Sequence, residues 1–135
     1  MKFPVILFSK KSRPYLYENI EQLKTTNSLA IKNNFFDNAS LIDVEGKYFE
    51  IKSVRKIKAL GFFWGYNIFL NRKIEVELDL VQNNSIYSVK SLWEFLSKYK
   101  YHINDKNMLN ELKESVDLEG FFNIYSSYQN TNFKK

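Results

Sequence analysis

The chain has 135 residues, a net charge of +5 and a pI near 9.3. That length suits a single domain burying roughly two-thirds of the surface its unfolded chain exposes. With no cysteine and one histidine, His102, the composition leaves no material for a disulfide framework, a thiolate nucleophile or a zinc cluster, and no metal or cofactor is expected.

Residues 3–8 form an apolar run of six, too short for a secretory core or a membrane span, so a cytoplasmic protein is expected. The run reads as a buried strand with Pro4 near its start, where a missing N–H does least harm. Ser12, Arg13 and Pro14 then resemble a helix start, and Leu16, Ile20 and Leu23 fall on one helical face that Thr25, Thr26 and Asn27 end. Residues 28–40 show no period and read as a loop. Leu41 to Val44 reads as a strand, Glu45 and Gly46 as a two-residue turn, and Lys47 onward as the returning strand.

The pattern next predicts a long hairpin. Its first strand runs from residue 49 to 63 and its second from 68 to 80, with Ile68, Leu70, Ile74, Val76, Leu78 and Leu80 on one side. One face must collect both apolar sets, because slipping by one residue turns a strand inside out. Paired numbers must therefore have an odd sum. A sum of 131 sets Lys52 against Asp79, Lys56 against Glu75 and Ile57 against Ile74, whereas 127 sets Glu50 against Glu77 and Arg55 against Arg72. Opposite charges across a ladder stabilise it and like charges do the reverse, so 131 is preferred.

The carboxyl third reads as helical. Ser91 with Glu94 has the form of a capping box, with Val89, Leu92, Trp93, Leu96 and Tyr99 on one face. A second helix follows Asp105 with Leu109, Leu112 and Val116 in phase. Leu118, Phe121, Phe122, Tyr125 and Tyr128 fit a third, although Phe122 and Ile124 also alternate as a strand would. Residues 129–135 are polar and read as a frayed end. The class expected is α+β: an antiparallel β-sheet with a long central hairpin packed against N-terminal and C-terminal helices, in one domain spanning residues 1–135.

In the chosen register GFFWGY, residues 61–66, lies at the hairpin tip, with Phe62, Trp64 and Phe69 on the outer face beside the charged ladder. Either the carboxyl-terminal helices cover this cluster as core, or Phe62, Trp64, Tyr66 and Phe69 form an exposed interaction patch. An aromatic content of 17% favours asking the question, since a core this small absorbs only part of it.

Other candidate chemistry is sparse. Glu75, Glu77 and Asp79 share one face and could gather a cation, but an ion-pair ladder with lysines explains them more simply. Arg55 and Arg72 occupy otherwise apolar register positions. They need a carboxylate such as Asp37, Asp43 or Asp117, or a bulge that turns one outward, or else they build an anion pocket of forked donors. His102 has no triad partners nearby, and phosphate-loop, dinucleotide and HExxH motifs are missing, so an enzyme is not expected. Of the 20 cations only Arg13, Arg55 and Arg72 are arginines, and scattered lysines among asparagines need no polyanionic partner.

Together YENIEQL (residues 17–23), FDN (36–38), LIDVEGKYF (41–49) and SLWEFL (91–96) give a layout over about the first hundred residues that resembles small immunity proteins. These are the cytoplasmic antitoxin-type partners of bacterial polymorphic toxins and contact-dependent growth inhibition systems. The resemblance implies a non-catalytic protein that binds a cognate toxin carboxyl-terminal domain, commonly a nuclease, and blocks it. Partners of basic nucleases tend to be acidic and this chain is basic, which shifts attention to the local acidic strip Glu75, Glu77 and Asp79. The expected binding residues are Phe62, Trp64, Tyr66, Phe69, the acidic strip, Lys52 and Lys56, with Arg55 and Arg72 as an anion pocket. The alternative is a nucleic-acid-binding domain in which Lys52, Lys56 and Lys58 meet phosphates while Phe62 and Trp64 stack on bases. A small enzyme without a legible motif is the third.

Overall fold

The computed structural model describes residues 1–9, 13–27, 36, 38–59, 73–99 and 106–132, and six antiparallel strands in it form one sheet. In chain order these are β1 (Val5–Phe8), β2 (Tyr15–Tyr17), β3 (Thr25–Asn27), β4 (Ser40–Asp43), β5 (Lys47–Ala59) and β6 (Lys73–Ile86). Across the sheet they run β2-β1-β4-β5-β6-β3. The described residues also hold four helices: α1 (Ile20–Lys24), α2 (Val89–Lys98), α3 (Lys106–Lys113) and α4 (Leu118–Asn132). The α+β class is therefore as expected.

β1 is apolar at every position because it is covered on both faces. Val5 and Leu7 join Leu41, Phe49 and Ile51 under Leu23 of α1, with Phe36 and Ala39. Ile6 and Phe8 join Leu16 and Ile42 on the opposite face, beneath Leu92, Leu96, Met108, Leu112, Phe121, Phe122 and Tyr125 of the three carboxyl-terminal helices. Each such side chain contributes roughly 1.5–3 kcal/mol of transfer free energy. Among the described residues the hairpin supplies only Tyr48, at its base, to the second core.

The amino-terminal helix expected from Ser12 onward is replaced by β2, then the single turn α1, then β3. Tyr15, Leu16 and Tyr17 pair with Leu7, Ile6 and Val5. Leu16 and Leu23 thus serve opposite faces of the sheet, and their helical spacing is coincidental. Asn19 caps α1 by accepting from the Gln22 N–H at 2.9 Å. Thr25 to Asn27, read as the helix end, pair with Glu75, Ile74 and Lys73 at the far edge of the sheet.

The β4–β5 turn has three residues where two were expected. Gly46 has φ of +86°, donates its N–H to the Asp43 carbonyl at 2.9 Å and accepts from Tyr87 N–H at 2.8 Å. This is a turn followed by a left-handed glycine, the common three-residue hairpin. Asp43 is fully buried and its carboxylate accepts the N–H groups of Lys2 (3.0 Å), Glu45 (2.9 Å) and Lys47 (2.9 Å). It organises the turn, and Arg55 pairs with Glu77 instead. Asp117 likewise caps α4 by accepting from Gly120 N–H at 2.8 Å.

At the carboxyl end the capping box starts three residues earlier than expected, with Ser88 and Ser91 bonding reciprocally ahead of α2. Val116 is 98% exposed because α3 stops at Lys113, so its phase with Leu109 and Leu112 has no helix to act through. The expected fraying from residue 129 is corrected too. Gln129 is buried, its amide accepts the Leu16 N–H at 2.6 Å and donates to the Leu16 carbonyl at 3.0 Å, and α4 continues to Asn132. One side chain thus stands in for a neighbouring strand on the outer edge of β2.

The hairpin of β5 and β6 holds the predicted sum of 131 only from Tyr48 with Asn83 to Ile51 with Leu80. A bulge at Lys52 then moves pairing to Ser53 with Asp79, Val54 with Leu78, Arg55 with Glu77 and Lys56 with Val76. A second bulge sets Lys58 against Glu75 and Ala59 against Ile74. The predicted pairs Lys52 with Asp79, Lys56 with Glu75 and Ile57 with Ile74 are therefore not formed. β6 also runs on to Ile86, beyond the expected end at residue 80.

Candidate functional site

The bulge at Lys52 decides which side chains the hairpin shows. Phe49 and Ile51 face the first core at odd positions, but past the bulge the even residue Val54 packs there instead, with Leu78 and Leu80. Ser53 and Arg55 consequently turn to the other face, where the carboxyl-terminal helices no longer reach. Arg55 has 72% of its side chain exposed and pairs with Glu77. Its apolar register position is thus explained by the outward turn.

This bare face carries Glu50, Ser53, Arg55, Glu77, Asp79 and Val81, beside the bulge residue Lys52. Lys52 Nζ bonds Glu50 Oε2 at 3.2 Å, and Ser53 Oγ donates to Asp79 Oδ2 at the long limit of 3.5 Å. The expected charge ladder is present with different rungs. Exposed pairs of this kind contribute only about 0–1 kcal/mol. Around Lys52 and Arg55 stand three carboxylates, Glu50, Glu77 and Asp79, so this part of a basic chain is locally acidic.

Three tyrosines close the base of the face. Tyr48 and Tyr87 stack with centroids 5.7 Å apart, and Phe95 links Tyr87 (5.8 Å) to Tyr99 (6.0 Å). All three are half-buried. Desolvation, with a smaller contribution from Tyr48, raises the pKa of Tyr87 and of Tyr99, so both phenols stay neutral donors at physiological pH. The sequence pattern places Tyr99 on a helix face and gives Tyr87 no role. Their convergence depends on the turn joining β6 to α2, which no period reveals.

Beside β6 lies an open cleft of about 600 Å³ between α1 and the hairpin, lined by Ile20, Leu23, Leu78 and Leu80 together with Ser53, Arg55, Glu77 and Asp79. Among the described residues no group of three or more His, Cys, Asp or Glu is placed to hold a metal ion, and no helix is long and apolar enough to cross a membrane.

Of the residues singled out from sequence, Lys52, Arg55, Glu77 and Asp79 come together on or beside the bare face. Glu75 lies between Lys58 and Thr25 in the sheet, and Lys56 pairs with Val76. Phe62, Trp64, Tyr66, Phe69 and Arg72, like Asp37 and His102, lie outside the described residues. Compared with protein-family models, curated proteins and solved structures, the chain matches none.

Proposed function

We propose that this chain is an immunity protein: a non-catalytic bacterial cytoplasmic protein that binds a cognate toxin domain and neutralises it by occlusion. The observation that carries the reading is the hairpin of 13 and 14 residues, with one side packed on α1 and the other, among the described residues past Tyr48, left uncovered by the carboxyl-terminal helices. At about 3.3 Å per residue each strand extends for roughly 40 Å, long enough to cover an enzyme cleft. Occlusion needs a rigid surface of the right charge and no reacting groups.

The face also suits a nuclease. Such a cleft must be basic to hold phosphates, and Glu50, Glu77 and Asp79 present carboxylates to it while Tyr48, Tyr87 and Tyr99 offer aromatic anchors with hydroxyl donors. The same charges weigh against direct nucleic-acid binding, because Lys52 and Arg55 are already paired with carboxylates.

The test is rescue and co-purification. Cells expressing the carboxyl-terminal toxin domain encoded immediately upstream of this chain's gene should grow when the chain is co-expressed, and the two should co-purify. A chain that neither rescues growth nor retains the toxin domain defeats the proposal. Trp64→Ala should weaken the complex by more than about 1 kcal/mol if the tip adds a hot spot, whereas a stability loss at unchanged affinity makes Trp64 core.

A further inference from the structure

The two outer edges of the sheet are finished differently. On β2 the amide of Gln129 occupies both backbone groups of Leu16. On β6, β3 pairs only with Lys73, Ile74 and Glu75, and among the described residues no strand pairs with its outer edge from Val76 onward. A strand at a sheet edge directs every second N–H and C=O outward as a template for another chain, and proline or lysine commonly blunts it. β6 has neither after Lys73. Instead it exposes Val81 (47%) and Ile86 (64%). The window closes at residues 84 and 85, where the register shifts and Ser85 N–H turns onto Asn83 Oδ1 at 2.9 Å.

We infer that the outer edge of β6 between Val76 and Asn83 takes up an added β-strand from a partner protein, one in which apolar residues alternate with lysine or arginine. The alternation follows from the side chains along the edge. Leu78 and Leu80 face Ile20 and Leu23 across the cleft of about 600 Å³ and suit apolar side chains, whereas Glu77 and Asp79, which alternate with them along the strand, border the same cleft beside Ser53 and Arg55. Among the described residues Asp79 has only the 3.5 Å contact from Ser53 to satisfy it. Backbone pairing supplies affinity and these alternate side-chain sites supply selectivity. A second copy of β6 fits less well, since antiparallel pairing about residue 78 sets Glu77 against Asp79 of its mate. The inference deepens the toxin-binding reading and rests on it only for the partner's identity.

The experiment is amide hydrogen exchange on the full chain, with a short capped peptide of alternating valine and lysine as probe. Slowed exchange at alternate amides within residues 76–83 is expected. It should be lost with a peptide N-methylated at alternate positions, and Asp79→Lys should weaken binding about tenfold by turning attraction into repulsion. No protection at the solubility limit of the peptide overturns the inference, as does equal protection by the N-methylated peptide or by a valine–glutamate peptide. A dimeric chain whose β6 amides are already protected without peptide overturns it in favour of a second copy. Toxin rescue is read separately: edge binding without rescue removes the function and leaves the edge, and rescue without edge binding removes the edge alone.

Discussion

Replacing Gln129 with glutamate exchanges an amide NH2 for a carboxylate oxygen and tests how the sheet edge is closed. The amide accepts from Leu16 N–H through Oε1 and donates to Leu16 C=O through Nε2, inside a site where Gln129 is 5% exposed. A carboxylate keeps the first bond, loses the second and sets two oxygens against each other. A lost hydrogen bond costs about 1 kcal/mol, and desolvating an imperfectly paired charge adds about 2 or more, giving roughly 3–4 kcal/mol at neutral pH. Protonation restores the match, because a carboxylic acid both donates and accepts. Burial and the facing carbonyl therefore raise the folded pKa of the introduced carboxyl group above its unfolded value of about 4.3. A raised folded pKa means that stability is fully present below about pH 4 and is lost as pH rises through the folded value. Urea unfolding of both proteins at pH 4 and pH 7 should give a destabilisation at least about 2 kcal/mol larger at pH 7. An equal difference at the two pH values, or none at either, refutes the edge-closing role and restores a frayed carboxyl terminus.

Gly46→Ala should cost about 2–4 kcal/mol, read as a lower thermal midpoint, because φ is +86° and an added Cβ would lie 2.2 Å from the Tyr87 carbonyl oxygen. Burial raises the phenol pKa of both Tyr17 and Tyr125. Both stay protonated in the fold while the unfolded chain ionises near pH 10, so stability should fall as pH rises above about 10, and Tyr125→Phe should flatten that fall in urea titrations. A double-mutant cycle on Arg55 and Glu77, whose side chains are 72% and 47% exposed, should give a coupling below about 1 kcal/mol. Fluorescence anisotropy with single-stranded and duplex DNA should show no measurable affinity at about 0.15 M salt, whereas a steep log–log salt slope would favour the nucleic-acid reading.

Strong local periodicity made much of the fold legible. The run at residues 3–8, the β6 alternation of Glu75, Glu77 and Asp79 against Val76, Leu78 and Leu80, and the face of α2 all follow from side-chain period alone. Leu16, Ile20 and Leu23 misled because three apolar residues at helical spacing say nothing about whether the backbone between them turns. Pairing of Tyr15, Leu16 and Tyr17 with β1 outweighs the weak propensity of so short a helix. Gln129 was illegible for a related reason: its partner Leu16 is 113 residues away, and no local pattern marks a glutamine as a strand substitute. The tyrosines at the hairpin base share that property, since Tyr48 lies in β5, Tyr87 in the turn after β6 and Tyr99 at the end of α2.

The bulge at Lys52 shows where a parity argument stops. A uniform register of 131 keeps every ladder bond but aims Arg55 into the apolar layer of Val5, Leu7 and Phe49. Burying an unpaired guanidinium costs several kcal/mol, whereas leaving one residue out of the ladder costs about 1 kcal/mol. The bulge wins on those magnitudes, and an exposed Arg55 paired with Glu77 is the outcome. A bulge that turns one arginine outward is among the expectations for Arg55 and Arg72, and Arg55 meets it: a charge in an apolar register marks where the register changes. The shift also swaps Val54 inward for Ser53, which leaves Ser53, Arg55, Glu77 and Asp79 together on the uncovered side. The bare charged face and the relief of a buried cation are thus one structural event, and an insertion or deletion at Lys52 should abolish both together.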